Sequence, residues 1–294
     1  MKNWMKQLSD NINITEINIP GTHDSCTCKV QYAFIAKCQS KTIKEQLNSG
    51  IRFLDIRVEK DGSRLKLVHD IADCKSPAKR KQKLYLENVI NDCKDFLSEN
   101  PTETILFSYK RDDGPNQEET FDLFFENYLE KDNIWYRENR IPSLEEVRGK
   151  IVLLNRDNID NCNKNYTDLN TGINLSTWIY QKENTEIIYE VAEYLKRNGE
   201  ATGKTLTIQD LYGLTPQKKW SLAVCPFLKK PPEANGILIT FFSCGSLLYN
   251  PKRSAKYINR RLAKTTLKRA KKYGWIILDY PTEKFIKEII ISNF

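Results

Sequence analysis

The 294-residue chain carries 46 Lys and Arg against 38 Asp and Glu, a formal net charge of +8, with 40% hydrophobic and 29% charged residues. That balance argues against disorder and favours encounters with anionic partners, phosphorylated lipids among them, without speaking to fold. No apolar run reaches the roughly eighteen residues needed to span a bilayer, and two histidines with eight scattered cysteines, none in a C-x-x-C pair, disfavour a structural zinc site.

In chain order, apolar and β-branched runs predict strands at "ITEINI" (14–19), "IRFLDIRV" (51–58), "LKLVH" (65–69), "TILFSYK" (104–110), "KIVLLNR" (150–156), "TLTIQD" (205–210), "GILITFF" (236–242) and "GWIILDY" (274–280). Several are almost continuously hydrophobic, as parallel strands covered on both faces are. Helices are predicted between them at 41–50, 84–101, 118–130, 183–198 and along the basic run 250–274. Alternation over the whole length predicts an α/β architecture, a single domain over 1–294 built as a closed or partly closed barrel. The even cysteine count is met equally by disulfides or by reduced buried thiols. The basic run 250–274 reads as the solvated face of a packed helix, and no nucleic-acid recognition module accompanies it.

Polar residues gather at the ends of these strands: His23 and Asp24, Asp55 and Arg57, His69, Lys110, Arg156, Asp210 and Asp279. In a barrel such ends open on one face, where loops assemble a site. Singly, each has a bland reading: a loop histidine as a surface group, Asp24 or Asp279 as a cap, Asp55 and Arg57 as a structural ion pair on one strand face, Lys110 and Arg156 as solvated cations. Jointly they are harder to dismiss, because several charges buried without mutual pairing would cost several kcal/mol. Two imidazoles suit one general base and one general acid, and a guanidinium supplies planar donors for phosphate oxygens, so the set suits transfer at a phosphodiester.

The segments "IPGTHDS", "RFLDIRV...LKLVHD", "ETILFSYKRD", "GKIVLLNR", "TIQDLY" and "GWIILDY", in this order, resemble the landmarks of bacterial-type phosphatidylinositol-specific phospholipase C over nearly the whole chain. The resemblance implies an irregular, incompletely closed TIM-like (β/α)8 barrel. It also implies metal-independent cleavage of phosphatidylinositol to diacylglycerol and inositol 1,2-cyclic phosphate, followed by slow hydrolysis of the cyclic product. By the same resemblance His23 is the general base held by Asp279, and His69 is the general acid with Asp24 behind it. Arg57 meets the phosphate with Asp55 in support, Lys110, Arg156 and Asp210 bind inositol hydroxyls, and Tyr212 lies beneath the ring. No cofactor or metal is expected. Glycine often follows the second histidine in the family, where this chain has Asp70.

Two apolar stretches, with Tyr32, Phe34 and Ile35 in one and Leu247, Leu248 and Tyr249 in the other, match the family's membrane-contacting helix and rim loop, though core packing explains them as well. The expected partner is phosphatidylinositol in membranes, with glycosylphosphatidylinositol a further candidate. A secreted monomer acting peripherally is expected, a signal peptide being absent from "MKNWMKQLSDN". The rival readings are a metal-dependent glycerophosphodiesterase or sphingomyelinase D-like enzyme, and a catalytically weak inositide-binding protein.

Overall fold

The computed structural model describes residues 1–79, 81–112, 117–157, 166, 171–176, 178, 190–197, 200–245 and 249–294. Among the described residues twelve strands form one sheet: β1 (Ile19–Thr22), β2 (Phe53–Asp61), β3 (Arg64–His69), β4 (Ala72–Asp73), β5 (Ile105–Arg111), β6 (Trp135–Tyr136), β7 (Ile151–Asn155), β8 (Ile173–Asn174), β9 (Glu190–Arg197), β10 (Glu200–Gln209), β11 (Gly236–Phe241) and β12 (Trp275–Leu278). Their order is β6-β7-β5-β2-β1-β12-β11-β10-β9, with β3 and β4 leaving from β2 and β8 pairing with β7. Pairing is parallel from β6 through to β10 and antiparallel in the β9–β10 and β2–β3–β4 hairpins. The parallel strands read "WIIL", "GILITF" and "IVLLN" because both of their faces are buried.

The sheet curls. Trp178 lies under the Arg156 guanidinium at 3.8 Å, just past β7, and its ring is 5.4 Å from that of Phe241 on β11. Those two strands are separated by four others in the sheet, so only a curved surface brings them to one indole. The result is a half-barrel: among the described residues no ladder joins β9 to the β6–β8 edge.

Register sets the height of the site. Thr22 pairs with Leu278 on one side and Leu54 on the other, so the next residues, His23, Asp279 and Asp55, stand side by side at the carboxyl rim. Arg57 pairs with Lys110 one pleat further on, and Tyr109 with Asn155 just before Arg156. Gly21 is required where β1 passes between its neighbours, since a Cβ there would meet Ile277 Cδ1 at 2.6 Å and Phe53 Cβ at 2.8 Å. At the opposite end the fully buried Arg52 donates to Glu103 Oε2 at 2.9 Å from Nε and 2.8 Å from Nη2, a paired charge that belongs to the barrel's foundation.

Helices cover the outer face. Leu86–Glu99 buries Leu86, Val89, Ile90, Cys93, Phe96 and Leu97 at helical spacing. Pro251–Leu262 starts with Asn250 Oδ1 accepting from Arg253 N at 2.8 Å, buries Ala255, Ile258 and Leu262, and turns Lys252, Arg253, Lys256 and Arg260 to solvent. The basic run is therefore a solvated face, on a helix that ends at Leu262 rather than running to 274.

Three expectations are corrected. Ile14–Glu16 is a short 3₁₀ turn, and the first strand begins only at Ile19. Glu190–Arg197, expected as part of a helix over 183–198, is a strand that pairs antiparallel with β10, Arg197 opposite Glu200; residues 183–189 and 198 lie outside the described residues. Disulfide bonding is not found among the described residues: Cys26, Cys28, Cys38, Cys74, Cys93, Cys225 and Cys244 are free, and all but Cys225 are buried, packing as small apolar groups.

Candidate active site

The strand ends surround a cavity of about 660 Å³ lined by His23, Arg57, His69, Lys110, Asp210, Tyr212 and Asp279 among others, a size suited to a small polar ligand. Six of these seven come from, or just beyond, strands of the curled sheet's parallel core. His69 does not. It sits at the end of β3, which turns back from β2 through Gly62 and pairs antiparallel with it, Val58 opposite Leu67, so the second imidazole is folded over the mouth by a hairpin.

The turn after β1 is fixed from several sides. Gln46 Nε2 donates to Ser25 O at 2.8 Å, Asp55 N donates to Ser25 Oγ at 2.9 Å, and Gln39 Nε2 donates to His23 O at 2.7 Å and Leu278 O at 2.9 Å. Asp24 takes a left-handed φ of 42°, which an aspartate tolerates better than most residues.

His23 Nδ1 is 2.9 Å from Asp279 Oδ1, while its Nε2 is 3.0 Å from Asp24 Oδ2 and 3.2 Å from Arg57 Nη2. His69 Nε2 is 3.1 Å from the same Asp24 Oδ2, and its Nδ1 donates to Ala36 O at 2.7 Å. The two rings stand 5.9 Å apart, edge to face. Arg57 binds Asp24 Oδ1 through Nε at 2.9 Å and Asp55 Oδ2 through Nη2 at 3.2 Å; Asp55 Oδ1 accepts from Arg156 Nη1 at 3.0 Å. One buried carboxylate, Asp24, thus lies within hydrogen-bond distance of two imidazoles and a guanidinium.

Burial opposes charge on His69, but Asp24, aided by the Cys38 thiol, outweighs it and raises the His69 pKa to about 10. Burial likewise opposes charge on His23, yet Asp24 and Asp279 together hold its pKa well above the ordinary value. For Asp24 burial favours the neutral acid; Arg57, His69 and His23 overcome it and keep the carboxylate ionised far below the usual range. Asp55 is held low against its own burial by Arg57 and Arg156.

The remaining expected residues divide. Lys110 lines the cavity with its ammonium 2.8 Å from Asp112 Oδ1, and Asp210 and Tyr212 line it from the turn after β10. Arg156 is buried beneath the cavity between Asp55 and the Trp178 indole. Asp70 takes a left-handed φ of 49°, a conformation glycine adopts without strain; its carboxylate is 77% exposed and 3.9 Å from His69 Nε2, so Asp24 is the carboxylate that governs His69. Tyr32, Phe34 and Ile35 are exposed at 61%, 74% and 55% around the helix Ala33–Ala36, which excludes core packing for them. Tyr249 is half-buried with the Arg253 guanidinium 5.2 Å from its ring, and Leu247 and Leu248 lie outside the described residues.

The acidic "RDDGPN" after Lys110 proves to supply a partner: Asp112 Oδ2 accepts from Asp70 N at 2.9 Å while its Oδ1 meets Lys110, tying the lysine to the turn after His69. Sequence reasoning missed Trp178, Gln39 and the 84% exposed Ile71 on the cavity rim. Among the described residues His23, Asp24 and Cys38 form the one trio close enough to share a cation, but both Asp24 oxygens already face the donors of Arg57, His23 and His69.

The profile of the family described as phosphatidylinositol-specific phospholipase C, X domain, matches residues 14–157. The chain is 30% identical to a 1-phosphatidylinositol phosphodiesterase of Staphylococcus aureus over 99% of this chain and 94% of that one, and 26% identical to one of Listeria monocytogenes over 99% and 85%. A solved mutant of the Staphylococcus aureus phosphatidylinositol-specific phospholipase C superposes with a TM-score of 0.76 at 27% identity, covering 100% of this chain and 98% of that one. A second structure of that enzyme, solved in work on modulating its membrane binding, gives 0.75 at 28% identity over 100% and 97%.

Proposed function

The chain belongs to the phosphatidylinositol-specific phospholipase C family, and from that membership we propose that it cleaves phosphatidylinositol to diacylglycerol and inositol 1,2-cyclic phosphate without a metal ion, residues 1–294 acting as one catalytic domain. The observation that supports this most is the convergence of His23, His69 and Arg57, all lining the cavity, on the single buried carboxylate of Asp24. The same three groups suit a phosphodiester.

In this reading His23 reacts from its neutral form, with the ring proton on Nδ1 towards Asp279: Nε2 removes the proton from the inositol 2-hydroxyl, whose oxygen attacks phosphorus while the bond to the diacylglycerol oxygen breaks, and because the His23 pKa is raised this base form grows as pH rises. Asp279 at Nδ1 stabilises the imidazolium that forms, as a carboxylate does for any histidine base. His69, held protonated by Asp24, delivers its proton to the leaving oxygen. Arg57 meets the charge that grows on the nonbridging oxygens, doing with a fixed cation what a divalent ion does elsewhere. Lys110, Asp210 and Tyr212 hold the inositol, and Arg156 acts through Asp55. The nucleophile belongs to the substrate, so positioning and charge stabilisation supply most of the acceleration. Slow hydrolysis of the cyclic phosphate uses the same groups with acid and base exchanged.

Tyr32, Ile35 and Ile71 line the cavity, and with the neighbouring exposed Phe34 they are read as the surface that docks on a membrane. Secretion and action as a monomer at a membrane belong to the same reading. Phosphorus NMR on the product of phosphatidylinositol hydrolysis tests it: a cyclic phosphodiester signal is expected, and a phosphomonoester with no cyclic precursor would count against it.

A further inference from the structure

The turn that follows β10 is a compact loop closed at its base by one side chain. Lys219, at the end of the helix Pro216–Lys219, is fully buried, and its ammonium reaches back ten residues to donate to Gln209 Oε1 at 2.7 Å and to Leu211 O at 3.1 Å. Gln209 is itself fixed, its Nε2 donating to Phe241 O at 2.9 Å and its Oε1 accepting from Leu211 N at 3.0 Å. The loop has its own apolar packing in Leu211, Leu214 and Ala223, separate from the main core. Between its two closed ends it carries Asp210 and Tyr212, the cavity-lining residues that the proposed function assigns to the inositol.

We propose that Lys219 is a positioning residue for the inositol platform: its buried ammonium clamps the 209–219 loop so that Asp210 and Tyr212 are presented to the sugar ring. Burying an ammonium is costly, and here both hydrogen-bond acceptors are neutral oxygens. Apolar packing alone would close a loop more cheaply. What the cation adds is a fixed point joining the strand end to the turn. Lys219 contacts neither the cavity nor the reacting atoms, so its effect belongs to substrate affinity.

This inference rests on the proposed function, and the test separates the two. Wild type, Lys219→Met and Gln209→Met are compared for KM and kcat on phosphatidylinositol in mixed micelles and for myo-inositol binding by calorimetry, with thermal melting alongside. Both variants should raise KM and the myo-inositol dissociation constant roughly tenfold, with kcat changed less than about threefold. Gln209→Met breaks the same clamp from its other end, so it carries the test if Lys219→Met fails to fold. A wild type that turns over the lipid while both constants of a folded variant stay unchanged overturns the role of Lys219 alone, as does an equal loss in kcat and kcat/KM with myo-inositol binding retained. A wild type that neither cleaves the lipid nor binds myo-inositol overturns the functional reading and this inference with it.

Discussion

Asp279 Oδ1 lies 2.9 Å from His23 Nδ1, so one ring nitrogen is held by a buried carboxylate and the other, Nε2, stands beside Arg57. Asp279→Asn preserves the shape and removes the charge that stabilises the imidazolium. kcat on phosphatidylinositol should fall by about a hundredfold or more, with the circular dichroism spectrum unchanged. A loss below about threefold would refute the assigned role of Asp279.

Arg57 spans two carboxylates, Asp24 through Nε and Asp55 through Nη2, a geometry that a lysine's single point charge cannot reproduce. Arg57→Lys should reduce kcat by about a hundredfold or more, the scale for losing a donor aimed at developing charge. Stopped-time assays on micellar substrate measure it. Near-wild-type turnover in Arg57→Lys would mean that the phosphate is neutralised by something else.

The ion pair of Asp24 with His69 gives folding a pH dependence of defined sign. Asp24 is depressed below its unfolded value of 3.8, so its contribution is complete above that value and is lost as pH falls through the folded pKa. His69 is raised from 6.5 to about 10, so its contribution is complete below 6.5 and is lost as pH climbs towards 10. Thermal stability should be greatest between about pH 4 and 6.5 and decline on the alkaline side. The alkaline slope should flatten in His69→Asn; a slope identical to wild type would show that other groups cause it.

Phe34, exposed on the short helix whose neighbours Tyr32 and Ile35 line the cavity, and Ile71, exposed on the cavity lining itself, are assigned to docking. Phe34→Asp and Ile71→Asp should each weaken binding to phosphatidylinositol-containing vesicles by roughly tenfold or more, the scale of one buried apolar side chain. Hydrolysis of soluble inositol 1,2-cyclic phosphate should change little. Unaltered cosedimentation with vesicles would remove these residues from the docking surface.

The parallel strands were legible because both faces of each are buried, leaving almost unbroken apolar runs such as "WIIL" and "IVLLN". The rim positions of His23, Asp55 and Asp279 were legible for a related reason: each is the first charged or imidazole residue after such a run, and parallel register brings equivalent positions together. His69 was found as a residue but misplaced in the architecture, because a strand that turns back on its neighbour carries the same apolar alternation as one that runs parallel. Glu190–Arg197 misled because its polar residues, Glu190, Glu193, Lys196 and Arg197, recur at helical spacing, while the pairing with β10 that makes it a strand is a tertiary contact. Trp178 had no local signal at all; its contacts with Arg156 and Phe241 exist only because the sheet curls.

The central claim is that two imidazoles and a guanidinium perform transfer at phosphorus with no divalent ion. It is tested most directly by incubating the protein with phosphatidylinositol in excess EDTA and following the products by phosphorus NMR. Inositol 1,2-cyclic phosphate should form at the rate seen without chelator and disappear slowly thereafter, with neither event in His23→Ala or His69→Ala. Turnover that stops in EDTA and returns on adding calcium or magnesium would contradict the account.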